Sequence, residues 1–222
     1  MADRKGTGIL VVMADVPADL EEEFNRWYNE EHIAELTSLP GVLNAARYEA
    51  ISGSPKHFAC YELESPDVYS SDTFQHYLAN PGPWSQRMSP RVIGTNYVHN
   101  VYQVIYPEQV PASMSQSGMA PVIQYGRMDI PGQYEEEFNA WYSTVYVPNY
   151  CEVPGVIQAR RLQAVRGAPA YGVMYEFEHE KVSQTPEWEK ARDANPWSLR
   201  IRPKMQHASG SPGVYRKTFE LG

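Results

Sequence analysis

The chain has 222 residues, a formal net charge of -8, and 42% hydrophobic, 12% aromatic and 21% charged side chains. That length admits one large domain or two of roughly 100 residues, each able to bury its own core. The aromatic content excludes a disordered chain, and the acidic balance excludes a nucleic-acid binder, whose affinity comes from neutralising phosphates with Lys and Arg.

In chain order, Asp3, Arg4 and Lys5 precede an apolar run ending at Ala14. That run is too short for a secretory h-region, and no stretch approaches the ~18 apolar residues of a membrane span. Residues 8–12 are β-branched and apolar and predict a strand. Asp15-Val16-Pro17 predicts a turn, and Asp19 the start of a helix with an acidic first turn. Along that helix Leu20, Phe24, Trp27, Tyr28 and Leu36 recur at three- and four-residue spacing, giving one apolar face until Pro40-Gly41 stops it. Residues 42–51 and 57–63 predict a hairpin turning at Gly53-Ser54-Pro55. Residues 71–79 predict a second helix ended by Asn80-Pro81-Gly82-Pro83, and 97–105 a fourth strand. Cys60 and Cys151 are too few for a disulfide framework or a thiolate cage, so a reducing cytoplasm with buried thiols is expected.

The same pattern then recurs. Glu21 to Tyr28 maps onto Glu135 to Tyr142 at an offset of 114, and 18 of 44 positions from 21 to 64 are identical without a gap. After one deletion the register becomes 113, which carries Trp84-Ser85 onto Trp197-Ser198 and Val101-Tyr102 onto Val214-Tyr215. Residues 109–119 are small and polar and read as a linker between units at 1–108 and 120–222. The element order β-α-β-β-α-β in each copy is the ferredoxin-like split unit, so the expected class is α+β. Helices on one face of each four-stranded sheet leave the other face bare, and a partner sheet must cover it.

The run Phe24-Asn25-Arg26-Trp27-Tyr28-Asn29-Glu30-Glu31-His32-Ile33, followed by Leu39-Pro40-Gly41-Val42, resembles the EthD-like branch of the dimeric α/β-barrel superfamily. The resemblance implies that two sheets close face to face into a barrel, supplied here by the two copies of one chain or by a homodimer. It also implies chemistry of the superfamily's kind, which spans cofactor-free oxygenases, muconolactone-type isomerases, cyclases, dehydratases and haem enzymes, many in bacterial catabolism of aromatic compounds. Fold alone selects none of these.

Among the candidate residues His32 comes first. It sits four residues after Tyr28 and four before Leu36, on the face that carries Phe24. The resemblance places a His at this point of the motif. Such a His is either a general acid/base, because its pKa lies nearest neutrality, or a buried ring bonded to backbone. The second copy replaces it with Tyr146, and His57 with Tyr171. A His in one half and a Tyr in the other suit one base and one phenol donor. Tyr142, Tyr146 and Tyr150 form a stripe that either lines a polar cavity or packs as core. Pro148 is expected to end that helix early and leave Asn149 and Tyr150 on a loop. Arg47 and Arg161 match in the second strand and read as carboxylate anchors or as ion-pair partners of Glu62 and Glu176, with Arg160 found in the second half alone. Trp84 and Trp197 follow Asn-Pro segments and either lid a cavity or plug helix to sheet, and His99 looks into the barrel from the fourth strand. No serine elbow, phosphate loop, dinucleotide fingerprint or metal-ligand spacing is present in the sequence.

These readings converge on an enzyme without cofactor or metal, acting by acid/base chemistry on a small unsaturated carboxylic acid inside the barrel. His32 and Tyr146 would move the proton and Arg47 or Arg161 would hold the carboxylate, with Tyr28, Tyr142, Tyr150, Asn149, Trp84, Trp197 and His99 around the substrate. The resemblance implies a cis-trans isomerase or methyl ester hydrolase of a ring-cleavage product from lignin-type aromatics. A cofactor-free monooxygenase or haem-binding barrel, and a non-catalytic small-molecule-binding protein, are the alternatives.

Overall fold

Over residues 2–221, which the computed structural model describes, the first repeat forms β1 (Gly8–Asp15), α1 (Glu21–Trp27), a π-helical turn (Tyr28–His32), α2 (Ile33–Thr37), β2 (Val42–Ser52) and β3 (His57–Leu63). It continues with α3 (Asp72–Ala79), α4 (Pro83–Met88), α5 (Pro90–Ile93) and β4 (Thr95–Tyr106). One helical turn, α6 (Ala112–Ser115), lies between the copies. The second repeat forms β5 (Val122–Asp129), α7 (Glu135–Trp141), a second π-helical turn (Tyr142–Tyr146), α8 (Val147–Cys151), β6 (Val156–Arg166) and β7 (Tyr171–Phe177). α9 (Pro186–Asp193), α10 (Pro196–Ile201), the two-residue β8 (Gln206–His207) and β9 (Gly213–Glu220) complete it.

Each repeat folds into an antiparallel sheet, ordered β4-β1-β3-β2 in the first and β9-β5-β7-β6 in the second. Two seams join them. β2 pairs with β9 from Ala46 opposite Glu220 to Ser52 opposite Val214, and β4 pairs with β6 from Val101 opposite Arg166 to Tyr106 opposite Arg161. Eight strands thus close into one antiparallel barrel within a single chain, and each sheet covers the face that the other left bare.

Alternation along the strands fills both sides of the barrel wall. Ile9, Val11 and Met13 of β1 point inward and form one cluster with Tyr48, Phe58, Cys60, Tyr125, Met174 and Tyr215. Leu10, Ala45 and Tyr61 point outward against the first repeat's helices, and Ala159, Val173 and Tyr175 do so in the second. β3 and β7 are buried along their whole length because both faces are covered.

This packing corrects the expectation of a substrate site inside the barrel. The interior is occupied by side chains, and four of its charges are paired across the two repeats. Arg160 donates to both carboxylate oxygens of Glu62 at 2.8 and 2.7 Å and to Glu176 at 3.2 Å, and Lys5 Nζ donates to Glu176 at 2.7 Å. Lys5 and Arg160 are thus already compensated by Glu62 and Glu176 and are not left for an external anion.

The predicted long helix is divided. The N–H of Ile33 bonds the carbonyl of Tyr28, five residues back, and Val147 repeats this with Tyr142. Pro148 does not end the second helix, another correction. It sits in the first turn of α8, where a missing N–H costs nothing, so Tyr150 is buried on the helix and not on a loop. Gly41 and Gly155 close the helical regions with φ of +83° and +87°, the conformation that glycine adopts without penalty. No helix among the described residues is long and apolar enough to cross a membrane.

Candidate active site

A cavity of about 660 Å³ lies on the outside of the barrel, between the first sheet and helices α2 to α5. Leu10, Val12 and Tyr61 of the sheet form its floor, Tyr28, His32 and Leu36 one wall, Phe74 and Tyr77 of α3 another. Arg91, Tyr97 and His99 stand around it, and Arg166 and Gly167 reach it from the β6–β7 hairpin of the second repeat.

His32 is held on three sides. Its ring stacks on Trp27 at 4.4 Å with a 23° interplanar angle and meets the edge of Tyr28 at 4.9 Å. Trp27 is itself fixed by donating Nε1–H to Ser85 Oγ at 3.1 Å. His32 Nδ1 lies 3.0 Å from Tyr77 Oη, and that hydroxyl donates to Glu35 Oε2 at 2.9 Å. Because the Tyr77 proton is spent on Glu35, its oxygen accepts from His32, which assigns the imidazole proton to Nδ1 and leaves the Nε2 lone pair free. Desolvation, and then the Arg47 charge, push the His32 pKa down to about 3, so the ring is neutral near pH 7.

Tyr28 complements it. Tyr61 donates its hydroxyl proton to Tyr28 Oη at 3.1 Å, which leaves the Tyr28 proton available to the cavity. Burial raises the Tyr28 pKa to about 12 against the opposing effects of that bond and of Arg47, so the phenol stays protonated. The site therefore presents one lone pair and one hydroxyl donor inside an apolar, aromatic enclosure, a setting for proton transfer.

The second repeat fills the equivalent space. Tyr146 stands for His32, Tyr150 for Leu36 and Trp188 for Phe74. Trp188 packs on Tyr150 at 4.0 Å and on Tyr175 at 5.2 Å, and Tyr146 meets Tyr150 at 4.9 Å. The tyrosine stripe is core here.

The structure gathers some of the expected site residues and disperses others. His32, Tyr28 and His99 line the cavity. Tyr146, Tyr142 and Tyr150 belong to the core of the other half, and Asn149 lies half-buried on α8, so His32 and Tyr146 are not brought together. Arg47 is engaged by Asn25 Oδ1 at 2.6 Å and Asn29 Oδ1 at 2.8 Å and stacks over Tyr28 at 4.5 Å. Arg161 repeats this with Asn139 Oδ1 and Ser143 Oγ, both at 2.7 Å, and with Tyr142 at 4.7 Å. Both arginines fasten helix to strand. Neither pairs with Glu62 or Glu176, the partners that Arg160 takes. Trp84 and Trp197 donate to Glu23 at 3.0 Å and to Glu137 at 2.7 Å, closing helix on helix.

Tyr77, Glu35, Arg91 and Arg166 escaped the sequence reading. One signal could have found two of them: Tyr77 aligns with Ala191 and Arg166 with Ser52, so a phenol and a charge stand where the other repeat has neither. The fold also brings Glu21, Glu49 and His57 together, with ligand atoms within 4.8 Å of one another, although Glu21 is already paired with Lys56.

No protein-family model and no curated protein matches the sequence. Solved structures match over nearly its whole length. An anthrone oxidase-like protein aligns with TM-score 0.64 and 13% identity, covering 99% of this chain and 94% of that one. A mutant chlorite dismutase from Candidatus Nitrospira defluvii, in complex with cyanide, aligns with TM-score 0.61 and 12% identity over 98% and 95%. A candidate monooxygenase from Fusobacterium nucleatum aligns with TM-score 0.59 and 10% identity over 98% and 95%. At these identities the likeness is one of fold alone, a closed barrel of ferredoxin-like units.

Proposed function

We propose that the cavity of the first repeat is the active site of a cofactor-independent enzyme of the EthD-like branch, working in the cytoplasm on a small unsaturated carboxylic acid from aromatic-compound catabolism. The observation that carries this reading is His32: a neutral imidazole with Nε2 free and Nδ1 tied through Tyr77 to the Glu35 carboxylate. As Nε2 takes a proton, positive charge forms on a ring that the Tyr77–Glu35 chain then stabilises.

Two reactions suit that arrangement. In cis-trans isomerisation, Nε2 removes the enol proton of a conjugated dienoate that carries a hydroxyl on its diene. The resulting dienolate has single-bond character at the former double bond, rotates, and regains the proton. In methyl ester hydrolysis, Nε2 takes a proton from water as the water oxygen bonds the ester carbonyl, and returns it to the departing methoxide. Tyr28 donates to the developing oxyanion in either case.

The test is turnover of cis-hydroxydienoic acids and their methyl esters, followed by NMR. His32→Ala is expected to lower kcat/KM by roughly 10²- to 10⁴-fold, and unchanged turnover by that variant sinks the reading. The same ring favours a haem-binding barrel as the second reading, since a neutral imidazole anchored through Nδ1 is how metal-ligating histidines are oriented. Haem would supply redox chemistry, with His32 as the residue holding its iron. Titrating hemin in the same experiment separates the two, because a Soret band that His32→Ala loses speaks for haem.

A further inference from the structure

We propose that Arg91 and Arg166 form a carboxylate clamp at the mouth of this cavity, assembled from both repeats, which binds the anionic end of a flat unsaturated acid and points its conjugated part toward His32. The proposal rests on the reading of the cavity as the binding site and adds to it which residues recognise the charge.

The first support comes from the arginines as a set. The chain has 13 of them in an acidic protein with 27 Asp and Glu. Arg4, Arg26, Arg87, Arg160, Arg192, Arg200, Arg202 and Arg216 each pair with a carboxylate. Arg47, Arg127 and Arg161 donate to side-chain or backbone oxygens. Only Arg91 and Arg166 make neither kind of contact among the described residues, and both face the one cavity that holds His32. Leaving two cations without acceptors where carboxylates are in excess is expected where an external anion completes them.

The second support is placement. Arg166 stacks over Tyr69 at 5.3 Å and pairs across the seam with Val101. The turn that follows it is pinned, because Asn100 Nδ2 donates to the carbonyl of Ala168 at 3.0 Å. Gly167 has φ +95°, and a Cβ there would lie 2.3 Å from Asn100 Oδ1, so the hairpin approaches as closely as a glycine allows. Arg91 belongs to α5 and arrives from the opposite repeat. Arg91, Arg166 and His99 line the same cavity, and after burial the two arginine charges are what lower the His99 pKa.

The third support is the other half of the molecule. Where Trp188 and Tyr150 fill the equivalent space, Arg166 is replaced by Ser52, and Lys204 stands for Arg91. The arginine pair accompanies the open cavity and not the filled one. The lining suits a ligand with a carboxylate at one end and a planar unsaturated body, whose neutral amide would lack the recognised charge.

The experiment measures binding, not turnover, by isothermal titration of sorbate and its neutral amide into the wild type, Arg91→Ala, Arg166→Ser and His32→Ala. Arg87→Ala, which removes an exposed arginine outside the cavity, is the control. Sorbate should bind the wild type and lose about tenfold in affinity with each cavity arginine removed, the expected effect of one charge-assisted hydrogen-bonding group. Sorbamide binding should be unaffected by those two changes, and Arg87→Ala should retain sorbate. Sorbate that binds no better than sorbamide, fails to saturate the wild type, or binds both arginine variants as tightly as the wild type overturns the clamp. Sorbate binding that follows the arginines while His32→Ala keeps full turnover leaves the clamp standing and removes only the acid/base assignment.

Discussion

His57 and Tyr171 occupy the same position of the repeat with opposite outcomes. Tyr171 donates to Glu135 at 2.7 Å and accepts from Asn139 at 2.9 Å, whereas His57 is 4% exposed with no hydrogen bond to either ring nitrogen. Its nearest carboxylates, on Glu21 and Glu49, stand at 3.6 and 4.0 Å. Burial, and then Arg47, push its pKa down to about 4. With His32 at about 3, two histidines stay neutral in the folded chain while the unfolded chain protonates them near pH 6.5. Stability from these groups is therefore complete above that pH and falls as pH drops, by up to about 1.4 kcal/mol per unit for each. His57→Tyr should restore the bonding seen at Tyr171 through Glu21 and Asn25. It should raise stability at pH 7 by roughly 1 to 2 kcal/mol and flatten the loss below pH 6.5. Urea unfolding at pH 7.5 and 5.5 checks both, and a slope equal to the wild type's would contradict the account. At this scale the sequence showed the exchange of His for Tyr but not its meaning, because which partners a ring meets depends on a strand and a helix far apart in the chain.

At the scale of elements, the helix–π-turn–helix segment has one geometry in both repeats. Trp27 meets His32 and Trp141 meets Tyr146 at the same 4.4 Å. Helical spacing alone placed His32 on the face of Tyr28 and Phe24, and there it lies. Spacing could not say whether that face would meet a packed neighbour or a void, since this depends on the size of side chains arriving from α3 or α9. Leu36 and Phe74 leave room in the first repeat, and Tyr150 and Trp188 remove it in the second. Introducing Leu36→Tyr with Phe74→Trp should therefore close the cavity by repeating the second half's packing. Binding to the cavity should vanish while the melting temperature holds or rises, since filling a void adds contacts without leaving a polar group unpaired. Differential scanning calorimetry with a parallel binding titration tests this, and retained binding would show that the plug does not transfer.

Across the whole molecule, the two repeats are bound at the seams and again inside. Lys5 and Glu62 from one repeat meet Arg160 and Glu176 from the other, all at most 3% exposed. Removing one member of such a network leaves a buried charge without compensation. Arg160→Met should cost about 3 to 5 kcal/mol. Because that cost falls on an interface shared by both sheets, unfolding should remain one transition, with tyrosine fluorescence and far-ultraviolet circular dichroism coincident in urea. Separate transitions for the two halves would show that the barrel is not the cooperative unit.

Period, punctuation and repetition are local or near-local properties, and they determined the β-α-β-β-α-β order, the duplication and the need of each sheet for a partner. They also singled out His32 and Tyr28. Only the tertiary structure decided that the barrel closes within one chain, that its interior is packed around a buried ion-pair network, and that the cavity lies outside it in one repeat alone. The physical reason is that cavities and charge partners arise from which side chains remain after packing. Arg47 and Arg161 look like ligands along the strand until Asn25, Asn29, Asn139 and Ser143 claim them, whereas Arg91 and Arg166, unremarked along the chain, are the two that the fold leaves facing the cavity without an acceptor.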